Sequence, residues 1–182
     1  SFKLAPGEAL LVSGPNGAGK TSLLRQIAGL LPLAGGELRL AGAGSDDALP
    51  ELCHYVGHLN AVKPSLSVSE NLRFWSEFLG DDGTEIGTAL AAFGLAPLAG
   101  LPAGLLSAGQ KRRLALARIL AAPRPLWLLD EPQTSLDASS LKRLDAIISN
   151  HLATGGIAVI ASHTPLKTKF ARRITLGKAR AS

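Results

Sequence analysis

The segment that most constrains this chain runs from Gly14 to Thr21 and reads GPNGAGKT. It satisfies the phosphate-loop pattern G-x-x-x-x-G-K-[ST] at every fixed position. The apolar residues 9–13 before it predict a strand, and residues 22–28 after it predict a helix. Glycines let such a loop wrap a polyphosphate with its N–H groups turned inward, and the helix start adds the positive end of its dipole. The pattern therefore predicts a nucleoside triphosphate site, in which Lys20 reaches the β- and γ-phosphates and Thr21 ligates Mg²⁺.

A second candidate part of the nucleotide site, a pair of acidic residues, lies far along the chain. Four apolar residues, 126–129, precede Asp130 and Glu131, as expected for a parallel strand that is buried on both faces. At the carboxyl end of that strand Asp130 is expected to serve the Mg²⁺ shell and Glu131 to polarise a water molecule. His163 follows the predicted strand 157–161 at the same kind of strand end, which favours a γ-phosphate contact over a purely structural role.

Strands that alternate with helices after a phosphate loop predict an α/β fold with a doubly wound, mostly parallel sheet. Ser67 and Glu70 form a capping box that opens a helix with the apolar stripe Leu72, Trp75 and Leu79. No strand is expected between 67 and 122, so this block is interpreted as a helical subdomain inserted in a single domain over 1–182. Further strands are expected near 35–40, 52–59, 126–129 and 157–161, and further helices over 107–120 and 139–152.

Composition excludes several classes of protein. Of the 182 residues 46% are hydrophobic and only 18% charged, which excludes a disordered chain. The net charge of +5 comes from dispersed basic residues with modest clusters at 111–113 and 167–180; solvated helix faces and a basic tail explain them at least as well as a nucleic-acid or lipid patch. The single cysteine, Cys53, excludes an internal disulfide. The uncharged stretch 86–110 is broken by prolines and glycines, so it is not expected to span a membrane.

Residues 106–110, LSAGQ, separate the phosphate-loop families. They resemble the signature LSGGQ of ATP-binding cassette (ABC) ATPases, with Ala108 where that family usually has glycine. The order of phosphate loop, signature, acidic pair, Ser135-Leu136-Asp137 and His163 is similar to that family throughout. The resemblance implies a phosphate-loop NTPase core, a helical subdomain that carries the signature, and a head-to-tail homodimer of cassettes.

The resemblance also implies residue roles. Two cassettes would sandwich two ATP molecules, with Mg²⁺ on Thr21 and Asp130, Glu131 as catalytic base, and His163 as switch histidine. Ser107 and Gly109 would act on the γ-phosphate bound by the other copy, and Asp137 would lie at the dimer seam. The implied phosphate-binding residues of the loop are Gly14, Pro15, Asn16, Gly17, Ala18, Gly19, Lys20, Thr21 and Ser22.

Two departures from the family pattern stand out. Leu59 and Asn60 occupy the place of the family's usual glutamine, which makes Asn60 a candidate substitute carboxamide. The first strand and the aromatic residue that stacks on adenine are expected upstream of Ser1. The natural start is also expected there, because the chain contains no methionine.

Residues 55–64 and 66–75 resemble one branch of the family, the ATP-binding subunits of haem exporters in bacterial cytochrome c maturation. That branch implies a peripheral subunit on the cytoplasmic face of the inner membrane, docked on integral membrane subunits and without direct nucleic-acid contact. ATP hydrolysis would drive the transport of haem or the release of a haem-loaded chaperone. The stripe with Trp75 is interpreted mainly as core packing, with a nearby docking surface as the alternative.

Other functions stay open at this point. A cassette for a different substrate would carry the same nucleotide residues. Non-transport cassettes are disfavoured, since DNA-repair members insert a long coiled coil and translation members usually carry two copies in tandem. A non-hydrolysing regulator is disfavoured by Lys20, Asp130 and Glu131. Direct haem ligation by Cys53, His54 and His58 is disfavoured, because histidines on a strand beside a nucleotide site need no metal to explain them.

Overall fold

The computed structural model of the chain describes residues 2–33, 35–39, 49–163 and 166–177. The described residues divide between two compact units. The first takes in Ser1–Gly57, Arg124–Glu131 and Ile148–Ser182, and the second takes in His58–Pro123 and Pro132–Ile147. In chain order the elements are β1 (Ala9–Ser13), α1 (Lys20–Ile27), β2 (Cys53–Val56), α2 (Val68–Phe78), α3 (Ile86–Ala92), α4 (Ala108–Ala121), β3 (Leu126–Asp130), α5 (Ala138–Ala153), β4 (Ile157–Ala161) and β5 (Arg172–Thr175).

The first unit is built on a five-stranded sheet with the order β2-β3-β4-β1-β5. Every neighbouring pair in it is parallel, which confirms the predicted α/β fold with a parallel sheet. In the register, Ala161 of β4 lies opposite both Asp130 of β3 and Val12 of β1. Parallel strands bring their carboxyl ends to one edge, so the loop after β1, the acidic pair at the end of β3 and the segment after β4 share that edge.

The apolar runs of the sequence lie where both faces of the sheet are covered. All five residues of β3 are buried, and so are Leu10 and Val12 of β1. On one face they pack with Leu24 and Ile27 of α1 in a common core. This two-sided burial explains why these strands are continuously apolar rather than alternating.

The second unit contains helices and no strand within 58–123, all of which is described. The capping box at the start of α2 is present: Ser67 Oγ accepts from the Glu70 N–H, and the Glu70 carboxylate accepts from the Ser67 N–H. Leu72 is fully buried, whereas Trp75 and Leu79 are half-buried. The 67–122 boundary of a separate subdomain stays a prediction.

Three sequence expectations need correction. Residues 35–39 form no strand, and the remainder of the expected pair, from Leu40 on, lies outside the described residues. Strand β2 is shorter than the expected strand over 52–59. It ends at Val56, before Gly57, and residues 58 and 59 are exposed. The expected basic tail contains β5, whose residues are mostly exposed; backbone pairing with β1, rather than an apolar pattern, holds this edge strand in the sheet. Among the described helices, none combines the length and apolar character required to cross a bilayer.

Candidate nucleotide site

The loop between β1 and α1 has the conformation that its glycines allow. Gly14 has a φ of 141°, and a Cβ there would lie 2.6 Å from the carbonyl oxygen of Leu176. Gly19, with a φ of 94°, is the N-cap of α1 and offers no side chain to the first turn. The first-turn N–H groups of α1 therefore lack a side-chain acceptor from the cap, which suits an anion at this helix start.

Lys20 is the first residue of α1 and is only 7% exposed. Its Nζ donates to the carbonyl oxygens of Gly14 and Pro15, at 2.8 and 3.1 Å. A lysine ammonium has three N–H donors, so these two contacts hold the charge against the loop and leave one donor for another acceptor. The residues at the tip of the loop, 15–17, are exposed.

Thr21 and Asp130 bring the loop and the end of β3 together. Thr21 Oγ1 donates to Asp130 Oδ2 at 2.7 Å, and Asp130 is only 2% exposed. A hydroxyl and a carboxylate are the hard oxygen ligands that Mg²⁺ prefers alongside phosphate oxygens and water. The described residues contain no group of three or more His, Cys, Asp or Glu side chains that could hold a metal by themselves. The donor set thus fits a Mg²⁺ ion that shares its ligands with a nucleotide.

The side chains of Glu131 and His163 are in hydrogen-bonding contact beside this site. The distance between His163 Nδ1 and Glu131 Oε1 is 2.7 Å, and the side chains are 64% and 14% exposed respectively. The backbone of Glu131 is in the left-handed region, with a φ of 46°, and its N–H donates to the carbonyl of Ala161 in β4. A non-glycine residue with positive φ costs free energy and often marks a functional position.

In the second unit, the signature residues begin helix α4. Ser107 Oγ accepts from the Gln110 N–H at 3.2 Å, and Gln110 Oε1 accepts from the Ser107 N–H at 2.8 Å, which makes a second capping box. Ser107 is exposed. A side chain at Gly109 would approach the carbonyl oxygen of Ser135 to 2.8 Å, so the backbone there tolerates only glycine without a shift.

Asp137 precedes α5 in the second unit and is exposed. Its Oδ1 accepts from the Ser140 N–H at 2.7 Å and from the Ser139 hydroxyl at 2.9 Å. These hydrogen bonds, the one from the Ser140 backbone above all, lower the pKa of the Asp137 carboxyl to about 2. The carboxylate is therefore charged throughout the neutral range.

The sequence reasoning gave no role to two arginines of α4. Arg112 is 2% exposed; its Nε donates to the Pro132 carbonyl, and its Nη1 to Asn60 Oδ1 at 3.3 Å. Asn60, the candidate substitute for the family glutamine, therefore has its side-chain oxygen engaged. Arg118 is also buried, at 5% exposure. The sequence offered one signal for the burial of Arg118, namely that this arginine stands inside the apolar run LALARIL.

The fold and the loop define a phosphate-loop NTPase. The sequence profile of the ABC transporter family matches residues 1–134. The chain belongs to this family, and it is an ATP-binding and ATP-hydrolysing subunit of an ABC transporter.

Two relatives illustrate the similarity. One from Nitrobacter winogradskyi is 53% identical over 173 residues, covering 95% of this chain and 86% of its own. One from Rhodospirillum rubrum is 54% identical over 166 residues, covering 90% and 71%. Both are called "Cytochrome c biogenesis ATP-binding export protein CcmA".

Solved structures agree on the fold. A putative ABC transporter ATP-binding protein from Pyrococcus furiosus superposes with a TM-score of 0.82 at 26% identity, covering 96% of this chain and 87% of that one. An ATP-binding subunit of another ABC transporter superposes at 0.79 and 23% identity, over 89% and 71%; this likeness supports the fold alone.

The structure brings three predicted groups together in the first unit: the loop, the pair Thr21 and Asp130, and the pair Glu131 and His163. Ser107, Gly109 and Asp137 belong to the second unit, where each lies at or next to the start of a helix. The action of these three residues on a nucleotide stays a prediction, and so does the action of the residues in the first unit.

Proposed function

We propose that this chain is the ATPase subunit of an exporter for cytochrome c biogenesis, and that the exported or released cargo is haem or a haem-loaded chaperone. One observation carries the proposal: relatives named for ATP-binding export in cytochrome c biogenesis are 53% and 54% identical over at least nine tenths of this chain. The same nucleotide residues would suit a cassette for another substrate, which is the second candidate.

Nucleotide binding is proposed for the loop from Gly14 to Ser22. The N–H groups of the loop and of the first turn of α1 bind the phosphates, and Lys20 turns one or more of its donors from the loop carbonyls to the β- and γ-phosphate oxygens. Thr21 and Asp130 hold Mg²⁺, as their 2.7 Å contact and hard oxygen donors support. When bound, that ion neutralises charge on the phosphate oxygens.

Hydrolysis is proposed to depend on Glu131 and His163, which lie together at the carboxyl edge of the sheet. Glu131 takes a proton from the water that attacks the γ-phosphate, and its low exposure helps to fix the carboxylate. His163 holds Glu131 by its Nδ1 contact, and its more exposed ring is available to the γ-phosphate as well. A histidine that bridges both groups would couple the state of the phosphate to the position of the base.

A head-to-tail homodimer is proposed to complete each site. The Ser107 side chain and the backbone at Gly109 would contact the γ-phosphate bound by the other copy, and Asp137 would lie at the seam between copies. Exposure of Ser107 and Asp137 in the single chain supports this arrangement, because a group that serves a second copy must be accessible. The capping box of Ser107 and Gln110 pre-orders the start of α4.

Integral membrane subunits are proposed as the other partners. The chain would bind the inner membrane peripherally, on the cytoplasmic side and only through those subunits, without direct contact to nucleic acid.

Pull-down of the full-length protein from native membranes tests this function. We expect it to recover the membrane proteins of cytochrome c maturation, and we expect cells that lack it to lose mature c-type cytochromes. The Lys20→Ala variant is the control: it should still recover the membrane proteins, but it should fail to restore mature c-type cytochromes, because it lacks ATPase activity. Recovery of the membrane subunits of an unrelated transporter would favour the second candidate, and association with ribosomes or DNA alone would contradict both.

A further inference from the structure

The turn that follows β5 packs against the phosphate loop. A Cβ at Gly14 would lie 2.6 Å from the carbonyl oxygen of Leu176, so the backbones of the two turns approach each other closely there. A Cβ at Gly177 would lie 3.1 Å from Ala18 Cβ and 3.5 Å from Pro15 Cδ. Each turn therefore has a glycine where the other comes near, and a side chain at either glycine would push the two turns apart.

Gly177 is constrained by its neighbours as well as by its own backbone. Its φ of 77° lies in the left-handed region that favours glycine. Gly155 in the same unit has a φ of 90°, but a Cβ there would meet no atom within 4 Å. The two glycines thus share the backbone constraint, and only Gly177 is also in close contact with the phosphate loop.

Strand β5 brings this turn to the loop. It pairs with β1 along residues 10–13, and the register ends with Ser13 opposite Thr175. The N–H of Leu176 then donates to the Ser13 carbonyl at 2.9 Å. The backbone ladder between the two strands therefore continues to the last residue before the phosphate loop begins.

Two hydroxyl contacts fasten the strands at the same point. Ser13 Oγ donates to the Ile174 carbonyl at 3.1 Å and lies 3.0 Å from Thr175 Oγ1. A hydroxyl has one hydrogen, so Thr175 is the donor in the second contact. Thr175 is exposed, and Ile174 and Leu176 are only partly buried against the core. Polar contacts with β1 thus contribute much of what holds this end of β5 in place.

The turn after β5 is suited to support the loop in every state of the site. The tip of the loop, residues 15–17, is exposed, and the loop binds phosphate through N–H groups that must point inward. Lys20 also holds the loop, but in the proposed binding mode it gives one or more of its donors to the nucleotide. The contacts made by Leu176 and Gly177 use no group that a nucleotide would take.

We propose that Leu176 and Gly177 are positioning residues for ATP binding: they support the phosphate loop from β5 and hold Pro15 and Ala18 so that the loop N–H groups face the phosphates. This inference rests on the nucleotide binding proposed for the loop. Both residues act through the loop and not by contact with the nucleotide. A loop that is already ordered loses less conformational freedom when the nucleotide binds, so its affinity is higher.

The test compares Gly177→Ala with Gly155→Ala in the full-length protein. We expect Gly177→Ala to raise the Kd for ATP about threefold to tenfold, because a shift of binding groups by a fraction of an ångström weakens the interactions they make. Gly155→Ala imposes a similar backbone strain without contact to the loop, so it should bind ATP as wild type does. Equilibrium titration with ATP measures the Kd, and thermal unfolding checks that both variants fold.

A rescue experiment separates positioning from a general loss of stability. Ala18→Gly removes the methyl group that lies 3.1 Å from the new Cβ at position 177. The double variant, Gly177→Ala with Ala18→Gly, should therefore bind ATP about as tightly as Ala18→Gly alone. Such non-additivity is expected only for residues that interact. The same loss of affinity from Gly177→Ala with either residue at position 18 would contradict the proposed contact.

A second variant keeps the inference testable if Gly177→Ala does not fold. Thr175→Val is nearly isosteric and removes the hydroxyl that donates to Ser13. We expect it to raise the Kd for ATP about threefold, which corresponds to the loss of one hydrogen bond. Thr154→Val is the control, because the exposed Thr154 hydroxyl donates only to carbonyls at the end of α5.

The outcomes that overturn the inference differ from those that overturn the nucleotide site. If Lys20→Ala loses ATP affinity but Gly177→Ala and Thr175→Val bind as wild type does, the positioning role is refuted and the proposed site stands. If Gly155→Ala weakens binding as much as Gly177→Ala, backbone strain accounts for the effect and the role is refuted as well. If Lys20→Ala binds ATP as tightly as wild type, the proposed phosphate site fails, and this inference fails with it.

Discussion

The His163 Nδ1 atom lies 2.7 Å from Glu131 Oε1, although the two residues are 32 positions apart in the chain. Glu131 follows β3 and His163 follows β4, and the parallel pairing of these strands sets both residues at one edge of the sheet. The Glu131 N–H is also tied to the end of β4 through the Ala161 carbonyl. The pair is therefore held by the sheet register, and the first prediction concerns it.

Glu131→Gln should slow ATP hydrolysis by about 10²–10⁴-fold, because the amide cannot accept a proton from the attacking water. ATP should stay bound and hold two copies together. Single-turnover phosphate release and gel filtration with ATP measure the two effects. Hydrolysis at the wild-type rate in this variant would remove Glu131 from the proposed role.

Lys20→Ala should weaken ATP binding by at least about 30-fold, because a polyphosphate would lose a charged, buried donor. Equilibrium titration with a fluorescent ATP analogue measures the affinity. Lys142→Ala, which removes an exposed lysine, is the control and should bind as wild type does. Unchanged affinity in Lys20→Ala would contradict the proposed phosphate site.

Ser107→Arg should block hydrolysis while the monomer still binds ATP, since Ser107 is proposed to act on the nucleotide of the other copy. Loss of the helix cap should also cost about 1 kcal/mol of stability. Ala146→Arg, on an exposed position of α5, controls for the added charge. An equal loss of binding and hydrolysis in Ser107→Arg would refute the assignment between copies.

His151 should make the protein less stable in mild acid. Its ring stacks on Trp127 with centroids 3.6 Å apart, and burial lowers its pKa below the usual 6.5. The unfolded chain then binds more protons than the folded one, so stability is full above about pH 6.5 and falls as the pH drops below that value. Urea unfolding between pH 7.5 and 5.5 measures the slope. His151→Phe should flatten it, and a slope in that variant equal to the slope of wild type would contradict the prediction.

Gly156→Ala should destabilise the first unit by about 1–3 kcal/mol, because the new methyl group would overlap the His151 ring and displace it from Trp127. Gly87→Ala is the matched control. Gly87 lies within α3 and has open space around its Cβ position, so alanine should stabilise that helix by about 0.5–1 kcal/mol. Thermal unfolding of the two variants compares them. A Gly156→Ala protein as stable as wild type would show that the ring moves freely.

Much of the fold was predictable because it depends on residues close together in the chain. The phosphate-loop pattern and its flanking apolar run place β1 and α1 correctly, and the capping boxes at Ser67 and Ser107 place the starts of α2 and α4. Strand β5 was missed for the opposite reason. Only Ile174 in it is even partly buried, so its sequence carries no periodic signal, and its pairing with β1 joins segments about 160 residues apart.

The candidate site, too, could be predicted only in part from the sequence. Sequence order alone identified the loop, the acidic pair and the histidine, since each is a short pattern at a strand end. It could not show that Thr21 donates to Asp130, or that His163 contacts Glu131, because the strand order of the sheet brings those residues together. It also could not show that the Asn60 side chain is engaged by Arg112.

What the sequence by itself determined about this protein was its local chemistry: a phosphate-binding loop, the capped helix starts and the family to which the chain belongs. Only the tertiary structure decided the neighbours of each charge. The sequence shows only that Arg118 stands in an apolar run, whereas packing leaves it buried over Trp75 without a carboxylate among the described residues. The physical reason is that burial and ion pairing are set by segments distant in the chain, which no local pattern of residue types encodes.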